Sequence, residues 1–118
     1  MYNLFLDDVR DANKFLQDIR VWETARDYNQ FVRLILKKGL PQFISFDHDL
    51  AWEHYGNPNV SQYTEKTGYD CAKWLVEFCM KTEQPLPDFQ VHSMNPVGKI
   101  NIQSLLTNYR DKTQLLNE

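Results

Sequence analysis

The sequence predicts an α/β fold, a parallel sheet packed between helices, and three observations carry that reading. Strand-like and helix-like segments alternate from one end of the chain to the other, as they do in βαβ units. Phe43–Phe46 is apolar enough to be buried on both faces, as central parallel strands are. Three apolar segments also run straight into polar, ionisable residues. Leu4–Leu6 ends in Asp7–Asp8 and then Arg10, Phe43–Phe46 in Asp47–His48–Asp49, and Phe89–Val91 in His92–Ser93–Met94–Asn95. The crevice outside the carboxyl ends of parallel strands is where such sheets bind ligands.

The elements follow in order. A first strand is expected over Asn3–Leu6 and a second over Ile19–Trp22, with room between Asp11 and Asp18 for a short helix. Thr24 with Asp27 reads as a capping box. Behind it Tyr28, Phe31, Val32 and Ile35 recur at helical spacing until Gly39–Leu40–Pro41 stops the helix. The third strand is Phe43–Phe46. Thr67 and Asp70 form a second capping box, and Ala72, Leu75, Val76 and Cys79 give the next helix its inward stripe. Pro85 and Pro87 lead into a fourth strand, Phe89–Ser93. Asn95–Pro96 then reads as an N-cap followed by proline in the first turn. Ile102, Leu105, Leu106 and Tyr109 line the last helix, and the polar tail from Asp111 gives no fifth strand. The stretch from Ala51 to Lys66 has no usable periodicity but carries Trp52, His54, Tyr55 and Tyr63. A loop this long beside a site reads as a lid, with Trp52 and Tyr55 placed to stack on a base.

Bulk properties set the frame. A chain of 118 residues, 42% hydrophobic and 25% charged, makes one globular domain over 1–118. A net charge of −3 argues against a surface built to coat nucleic acid. No apolar run reaches membrane-spanning length and no leader pattern is seen, so a cytoplasmic location is expected. Cys71 and Cys79 are eight positions apart on one helix, roughly 12 Å along its axis, too far for a disulfide.

The strand-end residues carry the chemistry. Asp7, Asp8 and Asp47 would repel one another strongly around one point, and a hard divalent cation such as Mg²⁺ or Mn²⁺ relieves that repulsion. His48 and His92, two of only three histidines, are candidates for proton transfer or ligation beside Asp47 and Asp49. Arg10, Ser93 and Lys99 are candidates to hold a phosphate, as is Asn95 at a helix start that itself favours anions. Asp27 and Asp70 are accounted for by capping.

Together these runs support a resemblance. The acidic pair after strand one, Asp47 after strand three and Ser93 after strand four look like the receiver domains of two-component signalling. More specifically, Leu6–Asp7–Asp8–Val9–Arg10, Phe46–Asp47–His48–Asp49–Leu50, Gly68–Tyr69–Asp70 and His92–Ser93–Met94–Asn95–Pro96–Val97–Gly98 resemble the cyclic-phosphate-processing receiver-like family. The resemblance implies a flavodoxin/receiver-like three-layer α/β/α sandwich, trimmed to about four parallel strands in order 2-1-3-4. By the same analogy Asp7 and Asp8 hold a divalent ion, Asp47 takes the phospho-acceptor position and Ser93 the hydroxyl position. The chain departs from ordinary receivers in lacking the fifth strand and the lysine at its end, a place Lys99 is the candidate to fill.

Residues and resemblance together point to a metal-dependent phosphoesterase. Its expected reaction is hydrolysis of a phosphoester, a cyclic phosphate on an RNA end or nucleotide, as in RNA repair. Asp7, Asp8 and Asp47 are the expected metal set; His48, His92, Asp49 and Asp47 are the expected catalytic groups. Arg10, Ser93, Asn95 and Lys99 are the expected substrate contacts. Two other readings stand beside it: a signalling domain phosphorylated on Asp47, and a module that binds a cyclic nucleotide without turning it over.

Overall fold

A computed structural model describes residues 2–16, 20–50 and 66–116. Its elements, in chain order, are β1 (Asn3–Leu6), α1 (Ala12–Leu16), β2 (Trp22–Ala25), α2 (Tyr28–Lys38), β3 (Phe43–Phe46), α3 (Gly68–Thr82), β4 (Asp88–Val91) and α4 (Pro96–Leu116). The sheet is parallel throughout, in the order β2-β1-β3-β4. That is the receiver/flavodoxin-like arrangement expected from the sequence.

Alternation along the strands divides the sheet into two unlike faces. Leu4, Leu6, Ile44, Phe46 and Val91 face α2, α3 and α4, and pack with Phe31, Ile35, Leu75, Ile102 and Leu106 into the main core. Each large side chain buried there contributes about 1.5–3 kcal/mol. The opposite face carries Phe5, Trp22 and Phe43, whose rings meet edge to face at 6.0 Å on either side of Trp22. Phe15 of α1 closes on Phe5 at 6.5 Å, and the Arg20 guanidinium lies 4.8 Å over both Trp22 and Phe43. Of the described helices only the five-residue α1 belongs to this side, so its layer is thin.

Two boundaries differ from the sequence reading. The second strand was expected over Ile19–Trp22; Ile19 lies outside the described residues, and β2 runs Trp22–Ala25, three residues later. Thr24 is therefore a strand residue paired with Phe5, not the opener of a helix. Asp27 caps α2 instead, accepting from the Gln30 backbone N–H, while the Gln30 side chain accepts from Arg26 N–H at 2.8 Å. The cap begins at Asp27, and the return bond from Gln30 goes to the residue before it, Arg26. The fourth strand ends at Val91, so His92 and Ser93 lie just beyond it, although His92 N–H still reaches Phe46 O at 2.9 Å.

The Thr67–Asp70 capping box of α3 is present in full. Asn95 caps α4 by accepting from Gly98 N–H at 3.0 Å. That helix continues through the polar tail to Leu116. Cys71 and Cys79 are buried free thiols. Among the described residues no helix is long and apolar enough to cross a membrane. The expected lid over 51–66, with Trp52 and Tyr55, falls outside the described residues except for Lys66, whose ammonium lies 5.0 Å over the Tyr28 ring.

Candidate active site

The carboxyl ends of β1, β3 and β4 are neighbours in the sheet, and that adjacency assembles the site. Asp7 continues the ladder through its N–H to Ala25 O, and Asp47 through its N–H to Leu6 O. Both carboxylates are buried, Asp7 completely and Asp47 to 4% exposure. One oxygen from each, together with a ring nitrogen of His92, lies within 4.8 Å of the others.

Asp7 is fully engaged. Its Oδ1 accepts from the backbone N–H groups of Val9 and Arg10, both at 2.9 Å, which bends the chain into a turn. Its Oδ2 accepts from His92 Nε2 at 3.0 Å and faces Arg10 Nη1 at 3.5 Å. Burial works against the charge, but the His92 bond and then the two backbone bonds outweigh it, so its pKa lies below the usual value. Asp47 has the opposite balance. Burial and then the negative charge of Asp7 push it up to about 6, against the smaller pull of His92, a hydrogen bond with Ser93, and Arg10. Two buried carboxylates, one of them raised by burial and by the charge of the other, suit a hard cation that would relieve their repulsion. The expected third carboxylate, Asp8, is half-buried and is not a member of this trio.

The second histidine belongs to a separate cluster. His48 Nδ1 lies 2.8 Å from Asp49 Oδ1, and Asn95 Nδ2 donates to the same oxygen at 3.2 Å. A carboxylate only accepts, so Nδ1 carries the proton and Nε2 presents its lone pair. Among the described residues nothing bonds to that Nε2. His48 is 14% exposed at its side chain, whereas His92 is 4% exposed.

Two glycines make this cluster possible. A Cβ on Gly98 would overlap the His48 ring, and one on Gly68 would overlap the backbone of Asp47. Gly68 N–H also donates to His48 O at 2.7 Å. The first turns of α3 and α4 thus close directly on the Asp47–His48 segment.

The remaining expected residues are distributed unevenly. Ser93 is buried and its Oγ accepts from Asn95 N–H at 3.1 Å. Arg10 lies 4.5 Å over the Phe15 ring, and its Nη1 is buried without a hydrogen bond. Lys99 is half-buried in the first turn of α4, and no contact among the described residues ties its ammonium to the carboxylates. A groove of about 720 Å³ lies at the other end of the sheet, between Cys79, Met80, Gln84, Leu86, Tyr109 and Arg110, far from this chemistry.

Several contributing residues were missed from the sequence. Ser45 and Gln90 stand behind His92, and a polar residue inside a doubly buried strand was the signal that could have found Ser45. Arg26 pins the β1–α1 loop by donating to Asp7 O at 3.2 Å and Arg10 O at 2.6 Å, and by pairing with Asp11 at 3.2 Å. Nothing in its local sequence marks that role.

Comparison with known proteins agrees with this geometry. No curated protein and no solved structure matches the chain. Residues 2–108 match the family model described as the Cyclic-phosphate processing Receiver domain, nearly the whole chain. The four-stranded parallel sheet and the acidic crevice at its carboxyl edge are what that match would lead one to find, and the chain belongs to this family.

Proposed function

We propose that the protein is a metal-assisted phosphoesterase that opens a cyclic phosphate on an RNA end or a nucleotide. The observation that carries this reading is the buried Asp7–Asp47 pair, with Asp47 raised to about 6 beside a neighbour that stays charged. Asp7 and Asp47, with Asp8 next along the loop, would hold Mg²⁺ or Mn²⁺. When bound, such an ion polarises a phosphoryl oxygen and favours an attacking hydroxide.

The protein's own groups do the rest. His48 Nε2 takes the proton of the attacking water and returns it to the ribose oxygen as the ring P–O bond breaks, while Asp49 steadies the imidazolium through Nδ1. The water oxygen ends on phosphorus, leaving a monoester. Ser93 and Asn95, the backbone N–H groups at the start of α4, Arg10 and Lys99 orient the phosphate. His48 is preferred over His92 for the proton because both His92 nitrogens are engaged, whereas no described residue bonds to His48 Nε2.

The test is a panel of 2′,3′-cyclic-ended oligonucleotides and 2′,3′- and 3′,5′-cyclic nucleotides, incubated with and without divalent metal. Metal-dependent ring opening of at least one substrate is expected. Binding without product would favour a sequestering module. A stable beryllofluoride adduct at Asp47, with no turnover, would favour a phospho-acceptor switch.

A further inference from the structure

Behind Asp7 the sheet holds a chain of three polar contacts, on the face away from α2, α3 and α4. Gln90 Nε2 donates to Ser45 Oγ at 3.0 Å, Ser45 Oγ lies 2.7 Å from His92 Nδ1, and His92 Nε2 lies 3.0 Å from Asp7 Oδ2. Ser45 pairs in register with both Phe5 and Gln90, and it is fully buried. The His92 ring lies flat against Phe5, 4.6 Å between centroids and 6° from parallel, and meets Phe15 at 5.3 Å. The ring therefore has no room to turn, and its two nitrogens have fixed partners.

The directions of these bonds follow from the groups. Asp7 already accepts two backbone N–H groups on Oδ1, as an ionised carboxylate does, so its Oδ2 needs a donor and Nε2 must carry hydrogen. In a neutral ring Nδ1 is then an acceptor, and the Ser45 hydroxyl donates a hydrogen bond to it. The Gln90 amide supports this, because it occupies a lone pair of Ser45 Oγ as a donor and leaves the hydroxyl hydrogen for His92.

We infer that Ser45 and Gln90 are positioning residues that hold His92 in its Nε2–H tautomer, so that His92 aims the Asp7 carboxylate instead of ligating an ion or carrying a proton. The inference rests on the reading of Asp7 as part of the phosphoester site. It also deepens that reading. With Nε2 protonated, His92 has no lone pair to offer, and the donors left at the Asp7–Asp47 site are oxygens. Such a set suits Mg²⁺ or Mn²⁺ and denies Zn²⁺ the extra affinity that an imidazole nitrogen would give it. Loss of a group that orients a ligating carboxylate typically costs about 10- to 100-fold in metal affinity.

The experiment is ¹⁵N spectroscopy of the His92 ring in the full chain without metal, near pH 8, where an ordinary histidine is about neutral, followed by Mg²⁺ and Zn²⁺ titrations. The parent should show a bare Nδ1 and a protonated Nε2. Ser45→Ala should shift the ring toward the Nδ1–H form, weaken Mg²⁺ about 10- to 100-fold and raise Zn²⁺ affinity relative to Mg²⁺. Should Ser45→Ala not fold, Gln90→Leu on the half-buried edge strand gives the same readout with a smaller shift. A proton on Nδ1 in the parent, alone or together with Nε2, would overturn the inference even where Mg²⁺ binds. Conversely, the Nε2–H form in a parent that binds no divalent ion would uphold the tautomer and count against the phosphoesterase reading.

Discussion

Each of the two histidines at this sheet edge faces an aspartate at hydrogen-bond distance, yet their surroundings differ, and the roles proposed for them differ accordingly. His92 is sealed between Phe5, Phe15 and the end of β1, and both ring nitrogens are engaged. His48 sits where the first turns of α3 and α4 converge, and among the described residues its ring is bonded through Nδ1 alone. Residue type and spacing to the strand end are nearly the same in both. What separates a fixed prop from a group able to exchange a proton is the number of unfilled hydrogen-bonding positions and the access to them.

Removing each ring in turn is the strongest way to break that contrast. His48→Ala should fold and bind ligand about as the parent does, while turnover falls roughly 100- to 10,000-fold. His92→Ala should instead lower stability by roughly 3 kcal/mol, since it empties a stacked position and strips a buried carboxylate of its donor. Thermal unfolding and kinetics on both variants decide the matter. If the two behave alike, the proposed division of labour is wrong.

Gly98→Ala sharpens the contrast from the other side. Its methyl would displace the His48 ring without touching His92. A displacement on this scale should cost about 100-fold in turnover. Magnesium-dependent stabilisation should persist, as melting curves with and without the ion will show. Gly68→Ala presses on the Asp47 backbone and should impair both readouts.

Acid–base behaviour gives a third handle. Asp47 is raised to about 6, so between the ordinary carboxylate value, about 4, and about 6 the native state keeps a proton that the unfolded chain has lost. Its contribution to stability is therefore complete below about 4 and is lost as pH rises through about 6, on the order of 3 kcal/mol in total. Asp7, held below the ordinary value, contributes in the reverse sense: present above about 4, lost on further acidification. Metal-free melting temperature of the parent relative to Asp47→Asn should accordingly fall between about pH 4 and pH 6. A flat difference would show that Asp47 is not raised.

Least in size is the cap of α3. Thr67→Ala should cost about 1 kcal/mol. Because α3 begins against Asp47 and His48 alike, neither histidine's function should change selectively in steady-state rates.

Much of this arrangement was legible because its signals are local. Phe43–Phe46, the Thr67–Asp70 box and the Asn95 cap depend on neighbours in sequence, and each holds in the structure. The second strand was misplaced for the same reason. Thr24 and Asp27 carry capping spacing, but pairing of Thr24 with Phe5 and Ala25 with Leu6 wins, a contact between segments nineteen residues apart. The surroundings of His48 and His92, on which their proposed roles rest, were illegible on similar grounds. They turn on Ser45, Gln90, Asn95 and Gly98, which reach the histidines only through the folded sheet. The meeting of Asp7 with Asp47 was legible from the strand ends, whereas the buried cluster also takes in His92 and does not include Asp8.

The central claim is that the Asp7–Asp47 centre supports opening of a cyclic phosphate. ³¹P spectra of a 2′,3′-cyclic nucleotide incubated with Mg²⁺ and either the parent or Asp47→Asn test it most directly. With the parent the cyclic resonance should give way to a monoester, and with Asp47→Asn it should persist. A resonance unchanged by the parent, or monoester formed equally by both proteins, would contradict it.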